Sequence, residues 1–132
     1  MYLIDTNIAI YLRDVNAEIT DRIDSFPDRP TISLLTWVEL EAGVYADPVN
    51  AHKRRTTTDA LLSLLDVLPL EASVISTYGS IIAARGFSRP RILDRLIAAT
   101  AIVHGLTLVT INGDDFRDIP GLILDTWPAP DQ

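Results

Sequence analysis

Short apolar runs, each followed by a longer stretch of helical spacing, constrain this chain more than any other feature. Tyr2-Leu3-Ile4, Thr31-Ile32-Ser33 and Thr107-Leu108-Val109-Thr110 have the length and composition of buried strands. Residues 6–12 and 16–26 read as helices, the second with Ile19, Ile23 and Phe26 at helical spacing. Thr36 to about Ala46 reads as a third helix, ended by Asp47-Pro48, and residues 50–64 as a fourth. Val67-Leu68-Pro69-Leu70 suits a short edge strand, because proline has no N–H to give to a ladder. Residues 72–85 form a helix stopped by Gly86, and Ser88 and Pro90 open another that runs to His104 and ends at Gly105. Asn112-Gly113 is a turn, Ile123-Leu124 a last strand, and the tail from Pro128 is expected to fray. Strands alternating with helices imply an α/β fold around a mainly parallel sheet. No repeat, low-complexity block or linker interrupts the chain, so one domain over residues 1–132 is expected.

Composition then narrows the chemistry. There is no cysteine, which excludes disulfides and thiolate metal sites. No leader pattern and no membrane-length apolar run is present, so a cytoplasmic protein is expected. A net charge of −7 has the wrong sign for a general nucleic-acid binder. Its distribution leaves two basic clusters, Lys53-Arg54-Arg55 and Arg85, Arg89, Arg91 and Arg95. They are either solvated helix faces or contacts for RNA phosphates confined to one face.

Four acidic positions stand out. Asp5 ends the first strand and opens a helix, where it is either an N-cap or a ligand at the carboxyl edge of the sheet. Glu39 lies in Thr36-Trp37-Val38-Glu39, a capping box by pattern, yet its helix also follows a strand. Asp94 shares a helix face with Ile97, Ala98 and Ala101, which is costly for a charge unless it is paired with Arg91 or Arg95 or binds a metal. Asp114 and Asp115 follow the strand ending at Thr110, and spacing does not separate them. A parallel sheet brings such acids to one edge. Two carboxylates about 4 Å apart repel by roughly 4 kcal/mol at an effective dielectric near 20, so the group needs protons or a cation. Oxygen ligands alone favour a hard ion, Mg²⁺ or Mn²⁺. His52 and His104 lack the spacing of a zinc pair.

With these residues assembled, the sequence resembles the PIN-domain ribonucleases, and among them the VapC-type toxins of VapBC toxin–antitoxin modules. "LIDTNI" resembles the strand–Asp–Thr–Asn start, "VELEAG" carries Glu39, "LDRLIAATA" carries Asp94, and "LVTINGDDF…IPGL" resembles the ending. That alignment selects Asp115, before Phe116, and sets Asn112 on the family's frequent asparagine. The resemblance implies a three-layer α/β/α sandwich with Asp5, Glu39, Asp94 and Asp115 holding one or two Mg²⁺ or Mn²⁺ ions. It implies an endoribonuclease that cleaves RNA with a metal-activated water, leaving a 5′-phosphate and a 3′-hydroxyl. Thr6, Asn7 and Asn112 are expected to orient the acids or water. It also implies a homodimer and a VapB-type antitoxin that blocks the pocket.

Two rivals remain. A haloacid-dehalogenase-type phosphatase needs a second Asp where Asn7 stands and a late lysine, whereas the only lysine is Lys53. A non-catalytic PIN-like interaction module is the alternative that the acids argue against.

Overall fold

The computed structural model describes residues 1–131. Among these, five strands, β1 (Tyr2–Ile4), β2 (Thr31–Ser33), β3 (Asp66–Leu68), β4 (Thr107–Thr110) and β5 (Ile123–Thr126), form one sheet. Six α-helices accompany them: α1 (Thr6–Arg13), α2 (Ala17–Asp24), α3 (Leu34–Ala46), α4 (Ala51–Leu62), α5 (Ala72–Arg85) and α6 (Ile92–His104). The strand order is β3-β2-β1-β4-β5, and every pairing is parallel. The chain order reverses between β1 and β4, whose register pairs Tyr2 with Thr107 and Ile4 with Val109.

Successive strand residues point to opposite faces, and the two cores follow from that. Leu3 and Leu108 pack with Val74 and Ile81 of α5 and Ile97, Ala98 and Ala101 of α6. Ile4, Ile32 and Val109 pack on the other face with Ile8, Ile19, Leu40 and Leu61. The architecture is therefore the expected α/β/α sandwich. Fully burying one such Leu or Ile stabilises the fold by about 1.5–3 kcal/mol.

Most of the expected elements are present, including the exact span of α5 and the terminating Gly86 and Gly105, both at positive φ. Two local expectations are corrected. There is no capping box at Thr36. The helix starts two residues earlier, straight off β2, because the Ser33 hydroxyl accepts the Leu35 N–H at 2.9 Å and caps it. The edge strand is Asp66–Leu68, so Pro69 lies just beyond it, where no ladder donor is needed. Of the tail from Pro128, Pro130 is buried. Trp127, just before it, is also buried, its N–H donates to the Thr110 carbonyl at 2.8 Å, and the indole tilts against Phe26, which stacks on Tyr2.

The α1–α2 turn carries one strained residue, Val15, at φ +57°. This left-handed position ends α1, with the Val15 and Asn16 N–H groups donating to Leu12 and Tyr11 carbonyls. Among the described residues, no helix is long and apolar enough to cross a membrane.

Candidate active site

Asp5 leaves the carboxyl end of β1 beside β4, at the point where strand order reverses, and such points are where open α/β sheets receive ligands. It caps α1: one carboxylate oxygen accepts the Ile8 N–H at 3.0 Å. The other accepts the Thr110 hydroxyl at 2.5 Å, and that hydroxyl in turn accepts the Asn112 N–H at 2.9 Å. The capping and ligand readings are thus compatible in one side chain. Asp5 is 4 % exposed.

A small, open pocket of about 100 Å³ lies over it, lined by Asp5, Glu39, Asp94 and Asp115 together with Thr6, Asn7, Asn112 and Phe116. Glu39 comes from α3, where its carboxylate accepts the Thr6 hydroxyl at 2.6 Å. Thr6 also meets the buried Thr36 hydroxyl at 3.1 Å. The Thr36–Glu39 pair that looked like a helix cap therefore ties α3 to the start of α1. Asp94 sits in the first turn of α6 and Asp115 in a short turn after β4.

The carboxyls affect one another. Burial pushes the Asp5 carboxyl up to about 6, an effect that the Thr110 and Ile8 bonds oppose and that the charges of Asp94 and Glu39 reinforce. Asp94 is also raised, first by burial and then by Asp115 and Glu39, with Arg91 acting against them. Of the two alternatives for Asp94, the ion pair with Arg91 or Arg95 does not form. The Arg91 guanidinium lies 3.8 Å from an Asp115 carboxylate oxygen and donates to the Asp115 carbonyl at 3.1 Å. Asp114 points away, exposed and paired with Arg117.

The PIN domain family profile matches residues 2–122. The chain belongs to the PIN domain family. Ribonuclease VapC1 of Rickettsia felis is 35 % identical over 98 % of this chain and 98 % of its own length. The tRNA(fMet)-specific endonuclease VapC of Salmonella typhimurium is 30 % identical, over 96 % of this chain and 97 % of its own. Among solved structures, VapBC2 of Rickettsia felis bound to a promoter DNA fragment is similar, with a TM-score of 0.84 and 28 % identity. That match covers 96 % of this chain and 98 % of the other. DNA-bound VapBC of Salmonella typhimurium also gives 0.84, at 27 % identity, covering 96 % and 97 %.

This PIN domain sorts the basic residues that the sequence groups together. Arg95 is buried on the core side of α6, its guanidinium donating to the Gly86 carbonyl at 2.6 Å. Arg55 is held by Glu41 and Asp59, and Arg85 donates to the Asp118 carbonyl. Lys53 and Arg89 are exposed, and Arg54 donates to the Gly43 carbonyl. Sequence reasoning missed Thr110 as a partner of Asp5. The available signal was a hydroxyl at the carboxyl end of an otherwise apolar strand, in a fold that sets that strand beside β1.

Proposed function

We propose that this protein is a metal-dependent endoribonuclease of the VapC type, formed by one PIN domain over residues 1–132. The single observation that carries the reading is the gathering of Asp5, Glu39, Asp94 and Asp115 around one pocket at the switch point of the sheet. The donor set fits a hard divalent ion: it is all oxygen, and two of its carboxyls are raised, first by burial and then by the neighbouring carboxylates. Among the described residues, no three acids or histidines stand close enough to cage an ion unaided. Mg²⁺ does not require such a cage, since it keeps several waters and takes one or two carboxylates plus substrate phosphate oxygens.

Asp5 and Asp94 would hold the ion, with Glu39 and Asp115 beside them. A bound Mg²⁺ or Mn²⁺ supplies Lewis acidity toward the scissile phosphodiester and lowers the pKa of an attacking water. The chain's own residues supply position. Thr110 and the Ile8 N–H fix both oxygens of Asp5, Thr6 fixes Glu39, and Arg91 fixes the turn that carries Asp115. Asn7 and Asn112, exposed at the rim, are placed to orient water or a ribose hydroxyl. Phe116, almost fully buried, closes the pocket against the core.

The reading includes a cytoplasmic location, a homodimer and a VapB-type antitoxin that covers the pocket. The VapBC complexes among the structural relatives support the antitoxin. Exposed Trp37, Val38 and Tyr45 on α3 support a protein-covered face.

The test uses purified protein with loop-containing RNA, initiator tRNA included. Cleavage is expected with Mg²⁺ or Mn²⁺, lost in EDTA, and absent from Asp5→Asn. Equal cleavage by that variant would assign the activity to a contaminant. No cleavage by wild-type protein with either ion would favour a non-catalytic interaction module.

A further inference from the structure

A second cleft lies away from the acids, between the end of α1 and α4. It has a volume of about 510 Å³ and is lined by Arg13, Asp14, Val15, Asn50, Lys53, Arg54 and Thr57. Arg13 is the unusual member. Its side chain is only 6 % exposed, which is rare for arginine. Asp14 takes two of its nitrogens, at 3.0 and 3.2 Å. The third, Nη1, stands beside Gly43 and has no hydrogen-bond acceptor among the described residues. Arg54 donates one nitrogen to the Gly43 carbonyl at 3.0 Å, so the two guanidinium groups flank the same turn of α3. Lys53 adds an exposed ammonium with no carboxylate partner among the described residues. Three cations line this cleft against one lining carboxylate, Asp14, with Asp47 beside it, bonded to Asn50 and near Arg54, on a chain whose net charge is −7.

Position gives this imbalance a use. Arg13 ends the helix that Asp5 caps, about 10 Å of helix axis from Thr6. Gly43 lies one turn along α3 from Glu39, which faces the acid pocket. We propose that the Arg13–Lys53–Arg54 cleft is a phosphate subsite that holds the RNA backbone at a neighbouring nucleotide while the scissile phosphate lies over the acids. The inference rests on the ribonuclease reading. A polyanion approaching an acidic protein is repelled at long range, and a local cluster that releases counterions from the strand offsets that repulsion. A guanidinium already immobilised by Asp14 loses little further freedom on binding a phosphate.

The experiment measures binding apart from cleavage. Anisotropy of a labelled hairpin RNA is followed against salt concentration in EDTA, with full-length wild type, Lys53→Gln, Lys53→Gln/Arg54→Gln and Arg13→Gln. Lys53 is exposed, so its variant folds even if Arg13→Gln does not; melting curves check each. The double variant should bind severalfold more weakly at low salt. Its slope of log affinity against log salt should flatten by about 0.7 for each charge removed. Arg22→Gln, on α2 outside the cleft, should change neither. Wild-type affinity and slope in the double variant would overturn the subsite, whatever that variant does to a protein partner. An equal loss in Arg22→Gln would also overturn it, by making the effect one of total charge. Weakened binding in the variants of a protein that cuts no RNA would sink the nuclease reading and the subsite with it, because no scissile phosphate would then be positioned over the acids; unchanged binding in variants of a protein that does cut RNA would overturn the subsite alone.

Discussion

Replacing Asp5 by Asn should make the metal-free protein more stable, although the mutation removes a buried, doubly hydrogen-bonded side chain. The Asp5 carboxyl titrates at about 6 in the fold and near 3.8 when unfolded. Between those values the folded protein keeps a proton that the unfolded chain has released, so stability falls as pH rises. The displacement is worth about 3 kcal/mol, absent below pH 4 and complete above pH 6. Asparagine removes that charge and keeps the shape. Its oxygen still accepts the Ile8 N–H, and its amide donates to the Thr110 hydroxyl, which reverses its role. Allowing about 1 kcal/mol for the exchanged bond, Asp5→Asn should gain about 1–2 kcal/mol at pH 8. Urea unfolding in EDTA at half-unit steps from pH 4 to 8 reads this directly. The advantage should shrink to nothing or reverse near pH 4. A variant less stable than wild type at pH 8, or a difference that does not vary with pH, would refute the claim that Asp5 is held against its own charge. Saturating Mn²⁺ should invert the order at pH 8 by stabilising wild type alone.

Two further outcomes follow from the geometry. Asp115→Asn should abolish Mn²⁺-dependent RNA cleavage while Asp114→Asn leaves it within about threefold, since only Asp115 lines the pocket; single-turnover assays of both variants check it. Val15→Gly should stabilise the fold by about 0.5–1 kcal/mol in thermal or urea unfolding. Valine at φ +57° costs roughly 1–2 kcal/mol, part of which glycine returns as unfolded-chain entropy, and the side chain is 73 % exposed with little packing to lose.

Local signals in the sequence were enough for the strand-to-acid junction at Asp5, for α5 and for the ends of α5 and α6. In each case an apolar run meets a residue that either caps a helix or tolerates positive φ. Signals that depend on a distant partner were not legible. Thr36 and Glu39 satisfy a helix-start pattern, but Ser33 was already in place to cap, so their hydroxyl and carboxylate turned to Thr6. Arg91 stands three residues before Asp94 but reaches Asp115, because it lies in the turn before α6. Arg95 reads as a surface charge only until α6 is set against α5 and the sheet. Trp127, just before the tail, gave no sign in the sequence of its cover, which Phe26 supplies from the loop after α2.

The central strand is the first one made, yet its neighbour β4 is among the last. The bond from Thr110 to Asp5 spans 105 residues. During synthesis the carboxylate at position 5 therefore acquires that support only once residue 110 has been added, and Asp115 and Trp127 arrive later still. Until then the acids are strung along an incomplete sheet. On the proposed reading, any fragment that ends before residue 107 lacks both that support and Asp115 and should cut no RNA.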